Sequence, residues 1–319
     1  MPNFSNTLFS ASSMRKIASS KLAFFLLMRK LACLSLIIAS PFLKPFKPTS
    51  SMSRPAKSPF GFLKIEPKLA PFGWLSLVVF KSSSLSVLKP TLSLNLAALL
   101  AEEGKKVLII DNDSQANITN TFFNEEFDNT IYNVILKGED LNNVIHKTSI
   151  ENLDVVVNSL ASADINLLLS TEIAREMKLK NALTKAKLNY DYVLIDCNPS
   201  LDLNMVNALV ACDEVIIPID CSAYSLTGLK NLVDFIEKIK VLNEDLNIKG
   251  FVLNNVDRRT HLYVDIKEVI DEIYPGKLFK QEISLNSIFN KMQFRKDTII
   301  NYKKNKAYTE LNELLDEVK

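Results

Sequence analysis

Two aspartates directly follow apolar stretches of the chain. Residues 107–110 and 192–195 are continuous apolar runs, and Asp111 and Asp196 come next. A carboxylate at the mouth of a buried strand is costly without a cation or a hydrogen-bond donor, and carboxylate oxygens are ligands that Mg²⁺ takes in proteins. The pattern therefore predicts a Mg²⁺ and nucleotide site. The alternative, which would be favoured if there were only one such aspartate, is a side chain that caps the following helix.

The elements that position these aspartates follow from the apolar pattern. Leucines recur at helical spacing over 92–100, and Gly104 follows as a typical helix C-cap. Further strands are predicted at 153–157, 214–219, 250–253 and 277–282, and further helices at 163–187, 203–211, 226–242, 264–273 and 308–318. Helices that alternate with wholly apolar strands predict an α/β fold with a parallel sheet covered on both faces. In such sheets ligands bind beyond the carboxyl ends of the strands.

The first 90 residues differ chemically from the rest of the 319-residue chain. They carry 13 Lys and Arg against a single acid, Glu66, and nine of the 12 prolines, whereas the remainder carries 25 Lys and Arg against 35 Asp and Glu. We predict an atypical basic, Ser/Pro-rich leader over 1–73, poorly ordered or read in a non-native frame, ahead of a single domain over 74–319. Residues 74–80 are apolar enough to supply its first strand.

Other interpretations of this leader fit its sequence less well. The uncharged apolar stretch 31–43 has 13 residues, fewer than the roughly 20 that a membrane span needs. Basic residues ahead of an apolar run are also typical of signal and transit peptides. However, no A-x-A-like cleavage site follows cleanly, and nine prolines oppose an amphipathic helix.

The cysteines and histidines favour neither a disulfide framework nor a zinc site. The four cysteines show no C-x-x-C spacing, and His146 and His261 are the only imidazoles in the sequence. Buried thiols in a reduced, cytosolic protein are the favoured interpretation.

Several spaced phrases resemble the ParA/Soj family of plasmid and chromosome partition ATPases. Residues 106–117, KVLIIDNDSQAN, resemble the family's KVLLIDLDPQGN, and residues 190–201, YDYVLIDCNPSL, resemble its Walker B segment, YDYIIIDCPPSL. Shorter matches follow at 207–209, 216–219, 224–229 and 255–260. Several agreeing phrases in unbroken order from about 91 to 318 are more specific than one pattern. The resemblance implies a doubly wound, mostly parallel sheet of the P-loop NTPase (ParA/MinD) type.

The family's first motif, K-G-G-V-G-K-T-T, is disrupted. Aligned through Asn95 it falls on residues 84–91, SLSVLKPT, where Val87, Lys89 and Thr91 agree. The replacements are Ser84 for the signature lysine, Leu85, Ser86 and Leu88 for the glycines, and Pro90 for the magnesium-binding threonine. Glycines in such a loop reach positive φ and let successive N–H groups face the phosphates. We therefore expect this loop to cradle ATP poorly, and we favour a frame error or a decayed gene as its origin.

The resemblance implies nucleotide-binding roles for three residues. Lys89 would contact the β- and γ-phosphates, Thr91 would belong to the same loop, and Asn254 would lie near the base. The alternatives are a solvated lysine ahead of a helix and a strand-end asparagine that satisfies backbone groups. The cofactors implied are ATP and Mg²⁺, which the altered loop disfavours.

The resemblance also assigns the acidic residues. Asp111 and Asp196 would hold Mg²⁺ through water, and Asp113 would help to place the attacking water. In such ATPases the chemistry is positioning and charge neutralisation. For Asp113 the alternative is a loop aspartate that forms a local turn.

A basic segment lies between residues 290 and 306, where Asp297 is the only acid. Its cations are Lys291, Arg295, Lys296, Lys303, Lys304 and Lys306. This density suits a surface that contacts phosphates, and the alternative is a solvated face on an acidic body. The resemblance implies non-specific DNA, a centromere-binding ParB-like protein and a second copy of the chain on ATP binding as partners, in the cytoplasm on the nucleoid.

The function implied is ParA-like partitioning of a plasmid or chromosome, with ATP hydrolysis by a DNA-bound dimer. The alternative is a nucleotide-dead or decayed ParA-like binding module. MinD-like relatives end in a basic amphipathic membrane helix, whereas residues 310–317 are acidic and anionic lipid would repel them. We therefore expect no membrane partner.

Overall fold

Seven strands form one sheet in the computed structural model, which describes residues 75–80, 91–198, 200–222 and 225–319. The strand order is β3-β4-β2-β5-β1-β6-β7. Neighbouring strands pair in parallel except β3 and β4, which are antiparallel. The strands are β1 (Leu75–Phe80), β2 (Val107–Asp111), β3 (Ile145–Lys147), β4 (Leu153–Val156), β5 (Tyr192–Cys197), β6 (Glu214–Asp220) and β7 (Asn247–Asn254).

Ten α-helices accompany these strands within the described ranges. They are α1 (Thr91–Glu102), α2 (Asn117–Phe122), α3 (Ile131–Lys137), α4 (Ile165–Leu169), α5 (Lys178–Ala186), α6 (Leu203–Ala211), α7 (Ser225–Ile239), α8 (His261–Ile273), α9 (Ile288–Arg295) and α10 (Lys306–Val318). Short 3₁₀ turns occupy Leu141–Val144, Leu160–Asp164, Arg175–Met177 and Ile299–Tyr302. Within the ranges searched, no helix is long and apolar enough to cross a bilayer.

Helices cover both faces of the sheet, as the wholly apolar strands predict. Along β2, Leu108 and Ile110 join a core that contains residues of α3, α5, α6 and α7. Val107 and Ile109 join a second core with residues of α1, α9 and α10. Successive strand residues point to opposite faces, so a strand buried on both sides must be apolar throughout. The α/β, doubly wound, mostly parallel fold is confirmed.

The apolar segment ahead of the disrupted motif forms an interior strand of the sheet. β1 pairs in parallel with β5 on one side and β6 on the other. The strand predicted from residues 74–80 is thus present. The leader over 1–73 and the loop residue Lys89 lie outside the described residues.

The predicted long helix over 163–187 is wrong. The chain instead forms α4 and α5, separated by a turn in which Ala174 has a φ of 52°. The hydroxyl of Ser170 donates to the carbonyl of Leu167 over 2.6 Å, and that of Thr171 donates to the carbonyl of Leu168 over 3.2 Å. Such side-chain bonds offer the backbone an alternative to the helix, and they end α4.

The predicted strand over 277–282 is also wrong, because among the described residues only one isolated bridge joins this region to β7. Phe251 pairs with Leu278, and the next bridge joins Val256 to Ser284. Between them, the N–H groups of residues 280 and 281 donate to the carboxylate of Glu317 on α10 over 2.8 and 2.7 Å. These two groups are therefore unavailable to a continuous ladder.

Candidate functional site

The carboxyl ends of β2 and β5 bring the two predicted aspartates side by side. Asp111 pairs in register with Asp196, and Val79 of β1 is the other neighbour of Asp196. The residues that follow β1 are those of the disrupted motif. Because β1, β5 and β2 are parallel, both aspartates lie at the edge of the sheet where β1 ends, as the sequence predicts.

Asp196 is buried and tied to α1. The hydroxyl of Ser93, on the first turn of α1, donates to Asp196 Oδ1 over 2.6 Å. Both side chains are buried. Sequence reasoning missed Ser93, although its position just after residues 84–91 was the signal that could have found it. The contact fixes the helix that follows the motif to the strand that carries the Walker B aspartate.

Asp111 is fully buried, with a relative exposure of 0%. Its Oδ2 accepts hydrogen bonds from the N–H and the hydroxyl of Thr119, at 2.8 and 2.7 Å. Its Oδ1 has no hydrogen-bond partner among the described residues. Burial raises the pKa of this carboxyl to about 7, even though the bonds from Thr119 act in the opposite direction. A nearby cation would offset the cost of the buried charge.

Asp113 is held in a polar turn next to Asp111. Its Oδ1 accepts a hydrogen bond from the N–H of Gln115 over 3.0 Å. This bond forms the local turn that the sequence analysis gives as the alternative to a catalytic role. The amide of Asn158 donates to the carbonyl of Asp113 over 3.0 Å, and the N–H of Asn158 donates to the hydroxyl of Thr119 over 2.9 Å. Thr119 and Asn158, which sequence analysis missed, therefore link the two aspartates. The catalytic role of Asp113 stays a prediction.

Asn254 lies at the same edge of the sheet, on β7. Its side-chain amide donates to Asp220 Oδ1 over 3.4 Å, and the two residues pair in register at the ends of β7 and β6. Strands β6 and β1 separate it from β5. Asp220 is a further strand-end carboxylate that the sequence analysis did not single out.

The donor set suits Mg²⁺ bound together with phosphate rather than a metal cage made by protein alone. Over the described ranges, no group of three or more His, Cys, Asp and Glu is arranged to hold a metal ion. Magnesium usually takes one or two carboxylates and completes its shell with water and substrate phosphates. Asp111 and Asp196 supply such carboxylates. The backbone of Thr91 begins α1, and Lys89 is outside the described residues.

The six predicted DNA-binding cations are all exposed, on α9 and on the segment from it to α10. They are Lys291, Arg295, Lys296, Lys303, Lys304 and Lys306. Two of them pair with acids: Lys303 with Glu102 at the end of α1, and Lys306 with Glu310 over 2.6 Å. Ion pairs with so exposed a lysine are weak and screened by salt, so phosphates can compete for these ammonium groups. DNA contact by this surface stays a prediction.

Comparisons with known proteins give relatives for most of the chain. A family model described as an AAA domain matches residues 80–248. The sporulation initiation inhibitor protein Soj of Bacillus subtilis is 40% identical over 201 residues, which make up 62% of this chain and 79% of Soj. The chromosome partitioning protein ParA of Myxococcus xanthus is 32% identical over 222 residues, 67% of this chain and 78% of that protein.

Solved structures share the fold. A plasmid partition protein from Borrelia burgdorferi superposes with a TM-score of 0.62 at 24% identity, covering 76% of this chain and 97% of that one. Cobyrinic acid a,c-diamide synthase from Mycobacterium smegmatis, with bound ADP and magnesium, gives a TM-score of 0.66 at 23% identity, covering 76% of this chain and 93% of that one.

Proposed function

The chain belongs to the ParA/Soj family of partition ATPases, and from this premise we propose that it partitions plasmid or chromosomal DNA by hydrolysing ATP as a DNA-bound dimer. The observation that carries the proposal is the pair of neighbouring strand ends, Asp111 and Asp196, with one buried oxygen of Asp111 lacking a partner among the described residues. Two buried carboxylates in register would be unfavourable unless a cation or a proton neutralised them.

Six residues at or near this edge have roles in the proposal. Asp196, positioned by Ser93, and Asp111, positioned by Thr119, hold the hydration shell of Mg²⁺. The metal, when bound, neutralises charge on the phosphates. Asp113 orients the attacking water, and Asn158 fixes its backbone.

The proposal extends to partners. Non-specific DNA binds the exposed cations of α9 and the following segment, a second copy binds in the presence of ATP, and a centromere-binding ParB-like protein stimulates hydrolysis. The protein acts in the cytoplasm on the nucleoid. The names of the relatives, a chromosome partitioning protein among them, and the density of cations between 290 and 306 support this assignment.

A second candidate function is favoured by one specific observation. Residues 84–91 read SLSVLKPT and lack every glycine of the family motif. Leucine side chains would occupy the space where successive N–H groups approach a phosphate, and Pro90 has no N–H to donate. On this basis the chain is a nucleotide-dead module that still docks on DNA or a partner protein.

Binding of a fluorescent ATP analogue separates the two candidates. We expect the ATPase to bind the analogue at micromolar concentration with Mg²⁺ and more weakly with EDTA, and Asp196→Ala to remove the dependence on Mg²⁺. Asp234→Ala, an exposed aspartate of α7, serves as the matched control. The absence of any Mg²⁺-dependent binding by the unchanged chain would contradict the ATPase and leave the nucleotide-dead module.

A further inference from the structure

An aromatic side chain is exposed to solvent on the outer face of α9. Phe294 is 90% exposed, although a phenylalanine side chain gains much from burial. On the opposite face, Ile288, Phe289 and Met292 are buried in the core shared with α1 and α10. The helix is thus fixed to the body of the domain by one face and holds Phe294 outward by the other.

Cations lie near Phe294 in the sequence and on the same face of α9. Residues three or four positions apart share a helix face, so Lys291 lies on the face of Phe294 and Arg295. The ammonium of Lys291 is 5.5 Å from the centre of the Tyr302 ring, and this contact holds it beside α9. Lys296 is the next residue after Arg295, and its Nζ donates a hydrogen bond to Asn124 Oδ1 over 2.6 Å.

The acid in this segment is engaged by local donors. Asp297 Oδ1 accepts from the N–H of Thr298 over 2.7 Å and from the amide of Asn301 over 2.6 Å. Its charge is therefore partly compensated next to the backbone. A single exposed hydrophobic residue needs no explanation on its own, but a ring set among cations offers a polyanion both charge and an apolar contact.

We propose that Phe294 inserts between base steps of double-stranded DNA while Lys291 and Arg295 bind the phosphates on either side. The inference rests on the DNA-binding surface of the proposed function and specifies how that surface engages the duplex. Apolar wedges that partly unstack a base step kink the duplex by roughly 20–90°. A ring also stacks on any base, so the contact adds affinity without sequence preference.

Salt dependence distinguishes an apolar wedge from a phosphate contact. The full chain, Phe294→Ala and Lys291→Ala are compared for binding to a duplex of about 30 base pairs over a series of salt concentrations, with and without Mg²⁺-ATP. We expect Phe294→Ala to lower affinity roughly tenfold at every salt concentration with the same slope of log K against log salt, because the lost contact is uncharged. Lys291→Ala should reduce that slope by about 1.

Residues 1–90, with 13 cations against one acid, are present in every variant, so the differences report on α9 alone. A second measurement follows duplex bending by energy transfer between dyes at its two ends. The unchanged chain and Phe294→Trp, which keeps a ring, should shorten the end-to-end distance, and Phe294→Ala should not. Circular dichroism checks that the variants fold, which the exposure of Phe294 favours.

Three results of these measurements would overturn the proposal that Phe294 inserts between base steps. Equal affinity and equal bending for the unchanged chain and Phe294→Ala would overturn it and leave the DNA-binding surface in place. A change of slope in Phe294→Ala would also overturn it, since an uncharged side chain releases no counterions. Failure of the unchanged chain to bind duplex at low salt would overturn the wedge together with the DNA-binding part of the proposed function.

Discussion

The side chain of Asn95 accepts a hydrogen bond from the backbone N–H of Ile299, with 2.7 Å between Oδ1 and N. Asn95 lies on α1, two residues after Ser93, and Ile299 begins the turn that follows α9. Both residues are buried. One buried helix therefore contacts the Walker B aspartate through Ser93 and the basic segment through Asn95.

The far end of α1 makes a second connection to the same region. Glu102 forms an ion pair with Lys303 and accepts a hydrogen bond from the hydroxyl of Tyr308 over 3.0 Å. One helix, α1, therefore contacts both of the surfaces proposed to bind nucleotide and DNA, and it starts at Thr91, the last residue of the disrupted motif.

Removal of the Asn95 side chain should destabilise the protein. In Asn95→Ala the N–H of Ile299 loses its acceptor in the core, and a buried unsatisfied donor costs about 1–3 kcal/mol. Urea unfolding followed by circular dichroism measures the change in the free energy of unfolding. Asn181→Ala, at an exposed position of α5, is the control and should stay within about 0.5 kcal/mol of the unchanged chain. Equal effects of the two substitutions would show that the hydrogen bond contributes nothing.

Buried strands and the aspartates at their ends could be predicted from sequence because a doubly covered sheet demands continuous apolar runs. Residues 107–110 and 192–195 have that pattern, and Asp111 and Asp196 meet as expected. The prediction of one helix over 163–187 was wrong for a physical reason. Its apolar spacing is interrupted by hydroxyl side chains such as that of Ser170, which bond to the backbone locally.

The polar side chains that support the site could not be predicted. Thr119 and Asn158 are 39 positions apart, and although Asn158 directly follows the predicted strand over 153–157, no sequence pattern joins it to Thr119. Their contact depends on how α2, which carries Thr119, packs against the end of β4, and tertiary structure sets that packing. Ser93 is different, because it lies only two residues after the motif and so is close to the carboxyl ends of the strands.

Glu282 should make stability depend on pH in the acid range. Its side chain is 4% exposed and contacts Lys267 at 2.6 Å and Arg258 at 3.0 Å. Burial acts to raise the pKa of Glu282, but the hydrogen bonds from Lys267, Tyr263 and Arg258 outweigh it and hold the pKa below its usual 4.5. A carboxylate with a lowered pKa in the folded state contributes stability above about pH 4.5 and loses it as pH falls through the folded value.

The variant Glu282→Gln isolates this contribution. At pH 7 it should lower the free energy of unfolding by about 1–2 kcal/mol, and the difference from the unchanged chain should shrink towards pH 3. Glu237→Gln removes a more exposed partner of a lysine, Lys240, and should change stability little at either pH. A deficit in Glu282→Gln that stays constant between pH 7 and pH 3 would contradict the assignment.

We propose that residues 1–90 reflect a shifted reading frame, and sequencing the gene across codons 60–100 tests this directly. We expect a K-G-G-x-G-K-T motif in another frame upstream of codon 91, because the family resemblance begins at about residue 91 and is continuous beyond it. An intact frame with no such motif would contradict the proposal. In that case residues 84–91 belong to the protein as written, and the nucleotide-dead candidate is favoured.

Restoring the loop should restore ATP hydrolysis if the carboxylates are assigned correctly. The variant carries the family's residues at five positions: Ser84→Lys, Leu85→Gly, Ser86→Gly, Leu88→Gly and Pro90→Thr. Glycines free the backbone to follow the loop and expose its N–H groups, and the threonine returns the hydroxyl for Mg²⁺. We expect Mg²⁺-dependent phosphate release at least about tenfold faster than that of the unchanged chain, equivalent to roughly 1.4 kcal/mol of barrier.

The same loop combined with Asp196→Ala is the matched control for this gain. It should return phosphate release to the level of the unchanged chain, because the restored loop can cradle phosphates but the site has lost the carboxylate that Ser93 positions. Asp234→Ala in the restored loop should keep the gain, since that residue is exposed on α7. If a folded loop variant shows no gain, then Asp111 and Asp196 do not form a competent site. If the unchanged chain already matches it, then the altered loop is no obstacle to hydrolysis.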